Sequence, residues 1–418
     1  MTPGKEIAVS TSPPPGFRPA PAASAPSVGI VELFRTFFVI GLTSFGMAIL
    51  QSIRSVPVKE GWMAREDIDE GLALVQLYPG AIMVDLVAYV GYRTRRIRGA
   101  LAATAGFVAP SLVLMLGLSW LYRAYGGRAG VQELVVGLDA IVVGVVTSVA
   151  LDFAAQHSRG RVEAVLGLAA FGLGVEGVNL LWAVLGGLVA GAVLLRGDPD
   201  PGRAAGGAPG EVPGVSWRRV GLALSPGLVV AAGAVVAALA SGALAALVAD
   251  MAKIGTVAFG NGATILPVLQ QDVVGAHHWL SQQAFGAGVG FGQVTPGPFL
   301  ITASFVGFQV AGWWGGILGA VAIFAPSVAM TLVAAEVYPS LRHLAPVRGA
   351  IRGIMAVFVG LLATVVLSLG RQVLPVPAAL VLAAAALVAV RSFKWNLLAV
   401  FGAGLAVWGI YFLLGGSV

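Results

Sequence analysis

Two short patterns in this chain have the residue types and spacing to do chemistry: Gln76-Leu-Tyr-Pro79-Gly80, and Gln293-Val-Thr295-Pro296-Gly297 followed by Pro298. Proline removes a backbone donor and clashes with the preceding turn, while glycine admits dihedrals closed to other residues, so each pattern breaks a helix inside an apolar stretch. A half-helix starts after each break, and its first N–H groups have no partner within the helix. With the positive end of the helix dipole they attract an anion, each favourable charge contact contributing about 0.3 to 2 kcal/mol. Gln76 and Gln293, at equivalent places before the breaks, can donate side-chain N–H groups to the oxygens of an oxyanion, as can Ser44, Thr295 and Asn261. A single Pro-Gly pair would read as a packing kink. Two aligned pairs that share a glutamine point to a binding site.

The elements that position these residues are written twice, about 216 residues apart. One copy runs from Gly41-Leu-Thr-Ser-Phe-Gly46 through Trp62 and the first break to Ala109-Pro-Ser111. The other runs from Gly255-Thr-Val-Ala-Phe-Gly260 through Trp279 and the second break to Ala325-Pro-Ser327. The candidate site therefore combines Ser44, Phe45, Gly46, Gln76, Pro79 and Gly80 with Gly260, Asn261, Gly262, Gln293, Thr295, Pro296, Gly297 and Pro298. Broken helices at corresponding places of two halves are the strongest sequence pointer to the binding site of a secondary transporter.

Composition agrees. Of 418 residues, 58% are hydrophobic and 11% charged, with mean hydropathy +0.90, against roughly 25% charged in an average soluble protein. The apolar stretches run for about 20 residues without alternation, which predicts spanning helices and argues against a β-barrel. There is no cysteine, which excludes disulfides, thiolate metal sites and cysteine nucleophiles. The net charge of +6 arises from Lys and Arg in the short connections, as the positive-inside rule requires, so it reads as topology and not as nucleic-acid binding.

Apolar segments fall near 30–50, 71–92, 99–122, 131–155, 162–178 and 180–195, then 219–240, 243–268, 284–309, 312–335, 346–369, 373–390 and 395–415. The expected organisation is a disordered cytoplasmic tail (1–29), a first membrane domain (30–196), a linker plus connecting helix (197–242) and a second membrane domain (243–418). The helix at 219–240 has no counterpart in the first half, and one unmatched span inverts whatever follows it. Arg93, Arg95, Arg96 and Arg98 follow the second span, whereas the equivalent connection, 309–315, carries no charge. The expectation is thus an all-α polytopic protein of about 13 spans in two inverted repeats, N-terminus inside, in the inner (plasma) membrane. The segments near 47–80 and 261–297 are left open as re-entrant excursions.

Charges within the apolar segments are the next candidates. Lys253 lies two residues before Gly255, where a lysine at a helix centre costs about 2.5 to 3.5 kcal/mol on insertion scales. It is an anion partner or gate, unless it pairs with Asp250 or snorkels to the interface. Asp85, six residues past Pro79, is the proton-coupling candidate, since an acid beside an anion path is unfavourable unless it carries a proton or a partner. Asp139 and Asp152 share a later span. Arg54 and Lys59, ahead of Trp62, form a mouth that attracts anions or a plain charged surface, and Glu32 with Arg35 reads as an i,i+3 pair. His277 and His278 point in different directions on a helix and have no third ligand, so an interfacial loop is expected in preference to a metal site. The run Gly286-x-Gly-x-Gly-x-Gly292 has no strand or soluble domain around it and reads as close helix packing. No cofactor is expected.

The blocks Thr43-Ser-Phe-Gly46, Trp62, Leu74-Val-Gln-Leu-Tyr-Pro-Gly80 and Val90-Gly-Tyr92 in one half, with Phe259-Gly-Asn-Gly262, Pro267, Trp279, Gly292-Gln-Val-Thr-Pro-Gly-Pro298 and Val306-Gly-Phe308 in the other, resemble the chromate ion transporter family. The likeness covers roughly 31–117 and 250–335. It implies a long-chain, two-domain transporter that exports chromate, with sulfate as a structural analogue. Where the family pattern has Phe-Gly-Gly-Pro and Pro-Gly-Pro, the first half has Phe45-Gly-Met-Ala48 and Pro79-Gly-Ala81. The alternatives are a sulfate or other anion transporter, a passive anion channel, and, of a different class, an intramembrane lipid-modifying enzyme, for which no Ser elbow, zinc helix or paired-acid motif is found. The expected partners are chromate, sulfate and the lipid bilayer, with a homodimer left open.

Overall fold

The computed structural model describes residues 28–414 apart from 45–46, 76–77, 79, 127, 159, 179, 196–216, 226, 229–231, 234–240, 259–262 and 342–344. Every regular element among the described residues is helical. The first half holds α1 (Ile30–Thr43), α2 (Met47–Lys59), α3 (Arg65–Val75), α4 (Ile82–Tyr125), α5 (Ala129–His157), α6 (Arg161–Val175) and α7 (Leu180–Leu194). After α8 (Trp217–Ala223) come α9 (Gly242–Thr256), a 3-10 turn (Ala263–Ile265), α10 (Leu266–Gln270) and a π-helical stretch (Gln271–Ala276). Then follow α11 (Gln282–Val294), a second 3-10 turn (Phe299–Ile301), α12 (Thr302–Leu341), α13 (Ala345–Val373), α14 (Pro377–Arg391) and α15 (Leu397–Leu413). The connecting helix expected at 219–240 falls largely outside the described residues.

Four helical stretches, Ile82–Tyr125, Glu133–His157, Phe299–Val337 and Arg352–Arg371, are long and apolar enough to cross a membrane, with mean hydropathies between 2.0 and 2.4. Large apolar side chains such as Val31, Leu168, Trp182, Trp314 and Val381 stand exposed on the outer surface, where lipid in place of water makes exposure favourable. This is an all-helical membrane protein.

The sequence repeat is matched element by element. α5 and α13 each have 29 residues and begin about 216 positions apart, and α6 and α14, with 15 residues each, keep the same offset. α4 and α12 both fold back at equivalent residues. Arg95 and Arg96 have φ, ψ of −137°, 28° and 54°, −147°, and Ala311 and Gly312 have −139°, 27° and 62°, −148°. Each is therefore a hairpin of a short arm and a long one: 82–94 with 97–125, and 302–310 with 313–341. Glycine permits the return. A Cβ on Gly91 would press on the backbone of Gly99, and one on Gly307 on that of Gly315. The apolar segments expected as single spans at 71–92 and 284–309 are accordingly each two helices around a break, and 30–50 divides into α1 and α2. An arm of 13 residues rises about 20 Å, short of the roughly 30 Å of a hydrocarbon core.

The long arms of α4 and α12 run in opposite directions. At one end Arg96 pairs with Glu336 at 3.1 Å while the Tyr92 hydroxyl donates to the same carboxylate at 2.6 Å. At the other, Arg123 donates to the carbonyl of Phe308, the repeat equivalent of Tyr92, at 3.2 Å. The halves are interwoven beyond this pair: α5 packs on α14 and α15, and α13 on α6 and α7. Glycines set the closest crossings, Gly144 against Ala383, Gly167 against Gly360 and Gly191 against Gly349 and Gly353. Glu32 and Arg35 make no ion pair; Glu32 Oε2 accepts from Gly29 N at 3.4 Å and closes the first turn of α1.

Candidate substrate site at two broken helices

The breaks lie between α3 and α4 and between α11 and α12, and each is closed by a serine from the opposite half. In the first, the backbone N–H of Ala81, at the start of the short arm of α4, donates to Ser327 Oγ at 3.1 Å. The Ser327 hydroxyl in turn donates to Asp85 Oδ1. In the second, a Cβ on Gly297 would come within 2.9 Å of Ser111 Oγ and 3.6 Å of the Gly41 carbonyl. Gly297 also has φ +99°, so only glycine meets both the dihedral and the space. Ser111 spends its own proton on Val108 O at 2.9 Å, which leaves its lone pairs to the break. Ser111 and Ser327 are both fully buried.

Shared packing holds the serines in place. Gly41 on α1 lies against the carbonyl of Phe107 on the long arm of α4, and Gly255 on α9 lies against that of Ile323 on the long arm of α12. These crossings bring each Ala-Pro-Ser segment beside the break that belongs to the other half.

The chemistry of the two breaks differs. Asp85 has no exposed surface and folds back over the start of its own half-helix, where a Cβ on Gly80 would strike Oδ2. The first break thus already holds a carboxyl group at the positive end of a helix, where its charged form is favourable. Ser327 donates to its Oδ1, Oδ2 has no hydrogen-bond partner, and no arginine takes part among the described residues. The Tyr78 hydroxyl extends the network, donating to Thr331 Oγ1 at 2.7 Å, which donates to Ser327 O at 3.0 Å. In the second break Thr302 stands five residues past Gly297, as Asp85 stands five past Gly80, and is buried, donating to Phe299 O at 3.0 Å. Thr295 caps α11, its N–H on Phe291 O at 2.9 Å. Gln293 is half-buried and has no hydrogen-bond partner among the described residues, so its amide is free to donate.

Of the sequence candidates, Ser44, Gly80, Asp85, Gln293, Thr295, Pro296, Gly297 and Pro298 lie at or beside the breaks or the α1–α2 junction. Ser44 is buried, its hydroxyl donating to Ser52 Oγ at 3.1 Å. Phe45, Gly46, Gln76, Pro79, Gly260, Asn261 and Gly262 fall outside the described residues. Lys253 is committed to carboxylates, 3.0 Å from Asp250 Oδ1 and 2.6 Å from Asp272 Oδ2. His277 completes that cluster, 2.6 Å from Asp250 Oδ2 and stacked on Trp279 at 4.2 Å between ring centroids. The His278 ring nitrogen Nδ1 lies 2.8 Å from Val274 O, back on its own turn. Arg54 pairs with Asp69 at 2.5 Å and, with Lys59 and Arg65, lines a cleft of about 550 Å³ between α2 and α3.

Ser111, Ser327, Tyr78 and Thr331 were not among the sequence candidates. The repeat of Ala-Pro-Ser at 109–111 and 325–327 was the available signal for the two serines; nothing in the sequence marks Thr331 as the partner of Tyr78.

The sequence pattern of the Chromate transporter family matches residues 31–192 and 245–410, once over each half. A chromate transport protein of Cupriavidus metallidurans is 29% identical over 89% of this chain and 90% of its own length. One from Pseudomonas aeruginosa is 27% identical, covering 94% of this chain and 97% of that protein, and a probable chromate transport protein of Synechococcus elongatus is 27% identical over 83% and 86%. No solved structure matches the chain. With both halves matched across its paired breaks, the chain belongs to the chromate transporter family.

Proposed function

We propose that this protein exports chromate across the inner membrane by alternating access, at a site made from its two broken helices. The observation that carries the reading is the reciprocal closure of the breaks: Ser327 of the second half on Ala81 and Asp85, Ser111 of the first half on Gly297. A tetrahedral oxyanion needs donors converging from several sides in a place without water. Half-helix N-termini and the free Gln293 amide supply them, and the serine hydroxyls join once they leave their present acceptors, Val108 O and Asp85. Ser44 and Thr295, with the flanking Phe45, Gly46, Gln76 and Gly260 to Gly262, complete the proposed set.

The proposed frame is two inverted membrane domains, 30–196 and 243–418, joined by 197–242, with about 13 spans and the N-terminus inside. The opposed directions of the long arms of α4 and α12 support the inversion. Rocking of one half against the other would open each serine closure in turn.

Energetics favour export. A dianion leaving a cell that is negative inside gains about 4.6 kcal/mol per 100 mV, near a thousandfold gradient. Asp85 adds proton sensitivity: while charged it competes with an oxyanion for the end of the half-helix, and once protonated it releases that end. Arg54, in the cleft before the first break, draws anions to the mouth. Sulfate, of the same shape and charge, competes.

The test is uptake of labelled chromate into everted membrane vesicles under an imposed potential. Saturable, potential-driven uptake inhibited by sulfate is expected. Inserted protein with no uptake above empty vesicles would sink chromate export, and flux that never saturates would favour a channel.

A further inference from the structure

Asp139 is a buried acid that the preceding mechanism does not use, and unlike the buried Glu163 and Asp272, paired with Arg352 and Lys253, it makes no ion pair among the described residues. It lies on α5 within the apolar stretch Glu133–His157 and is 5% exposed. Its Oδ1 has no hydrogen-bond partner among the described residues, although a charged carboxylate in an apolar interior demands one. The face of α5 that carries it packs on the glycine face of α11, the helix that ends at the second break. A Cβ on Gly286 would meet the Asp139 carboxylate with its three nearest contacts, and one on Gly290 would meet Val142 Cγ2 at 2.9 Å and Leu138 Cγ at 3.0 Å. Each broken helix thus has one buried acid pressed against one of its glycines: Asp85 on Gly80, Asp139 on Gly286.

Tyr122, near the end of the long arm of α4, is an electrostatic neighbour of Asp139. Its ring packs edge-on against Phe305 and Phe291, with centroids 5.4 and 6.2 Å away. Those phenylalanines flank the second break, one on α12 and one on α11. The other charged or titratable groups on elements packed against α5 are Tyr411 on α15, Arg391 on α14, which pairs with Asp152, and Arg348, Arg352 and Arg371 on α13, of which Arg352 pairs with Glu163. α11 carries none.

We propose that Asp139 is a second proton-binding site of the transport cycle, coupled to the second broken helix through α11; this rests on the transport reading above. A proton added at Oδ1 gives a neutral acid that tolerates close contact with Gly286. Its loss leaves a carboxylate that must recruit a donor, which favours separation of α5 from α11 and movement of the break at the end of α11.

The first arm of the test needs no transported anion. Infrared spectra of the purified full-length Asp85→Asn protein, titrated through the neutral range, should show a protonated carboxylic acid band that adding Asp139→Asn removes. Gly286→Ala, which places one methyl against that carboxylate, should move the titration by about one pH unit, tenfold in proton affinity. In proteoliposomes, chromate flux governed by two acids should keep part of its pH slope in Asp85→Asn, and Asp139→Asn should remove that remaining part. A band indifferent to Asp139→Asn, or a flux profile superimposable on that of the parent protein, overturns the proposal. If Asp139→Asn does not insert, an unmoved titration in Gly286→Ala does the same. Absence of chromate flux from the parent protein defeats the transport reading, and the infrared titration then decides by itself whether Asp139 binds a proton.

Discussion

The first and second breaks share a backbone plan and differ in charge. Both interrupt a helix at Pro-Gly, both are followed by a short arm that turns back at equivalent dihedrals, and both meet a serine of the opposite half. Yet the first holds the buried carboxylate of Asp85 at its half-helix start, and the second holds the neutral Thr302. A duplicated scaffold has kept its geometry while its chemistry diverged. On the proposed reading the second break offers its donors to the oxyanion throughout, and the first joins the site once Asp85 is protonated.

The largest effects should come from destroying what the halves share. Gly255→Leu and Gly41→Leu each drive a side chain into a carbonyl of the crossing helix, where overpacking costs typically about 1 to 3 kcal/mol and more when backbone must move. Loss of the folded monodisperse species in detergent extracts is expected for both; a folded Gly41→Leu beside an unfolded Gly255→Leu would mean that the crossings are not equivalent.

Exchanging the chemistry sharpens the comparison. Thr302→Asp gives the second break an acid like that of the first, and should weaken oxyanion binding by about tenfold or more, since an opposite charge nearby moves an acid by about 1 to 3 pKa units and a like charge acts with the reverse sign. Asp85→Asn should leave binding intact or tighter and remove most of the rise in flux as pH falls, because the amide mimics the protonated acid. Flux that kept its full pH dependence in Asp85→Asn would remove Asp85 from coupling.

The serines come next. Ser327→Ala leaves the Ala81 N–H without its acceptor and takes the Ser327 hydroxyl away from Asp85, at about 1 to 3 kcal/mol. Ser111→Ala removes a hydroxyl that donates only to its own helix, so a loss of about 1 kcal/mol or less is expected. Equal losses, read from thermal unfolding of the purified proteins, would argue that the two closures do the same work.

The smallest effect is expected at Arg54, exposed and paired with Asp69. Arg54→Ala should change the apparent KM by about twofold, and only at low ionic strength.

Much of this plan was legible in the residues. Pro79-Gly80 and Pro296-Gly297-Pro298 announced breaks because proline and glycine act locally. The glycine run 286–292 announced close packing, which Gly286 and Gly290 supply against α5. What the sequence withheld was long-range. That Ser327 serves Ala81 depends on α4 and α12 crossing, a contact spanning 246 positions. Lys253 read as an anion partner or gate unless paired with Asp250; that pair is present, and the second carboxylate, Asp272, was out of sight because it lies on a different element and meets Lys253 only where the π-helical stretch returns to α9. The turns of α4 and α12 at Arg95-Arg96 and Ala311-Gly312 fall in the connections expected at 93–98 and 309–315, whereas the shortness of the arm before each turn was hidden.

The measurement that bears most directly on the central claim is equilibrium binding of labelled chromate to the purified protein and to Thr302→Asp, at one pH and ionic strength. Saturable binding by the parent protein that is about tenfold weaker in Thr302→Asp is the expected result. Equal affinity in the two proteins, with Thr302→Asp correctly folded, would contradict an oxyanion site at the second break.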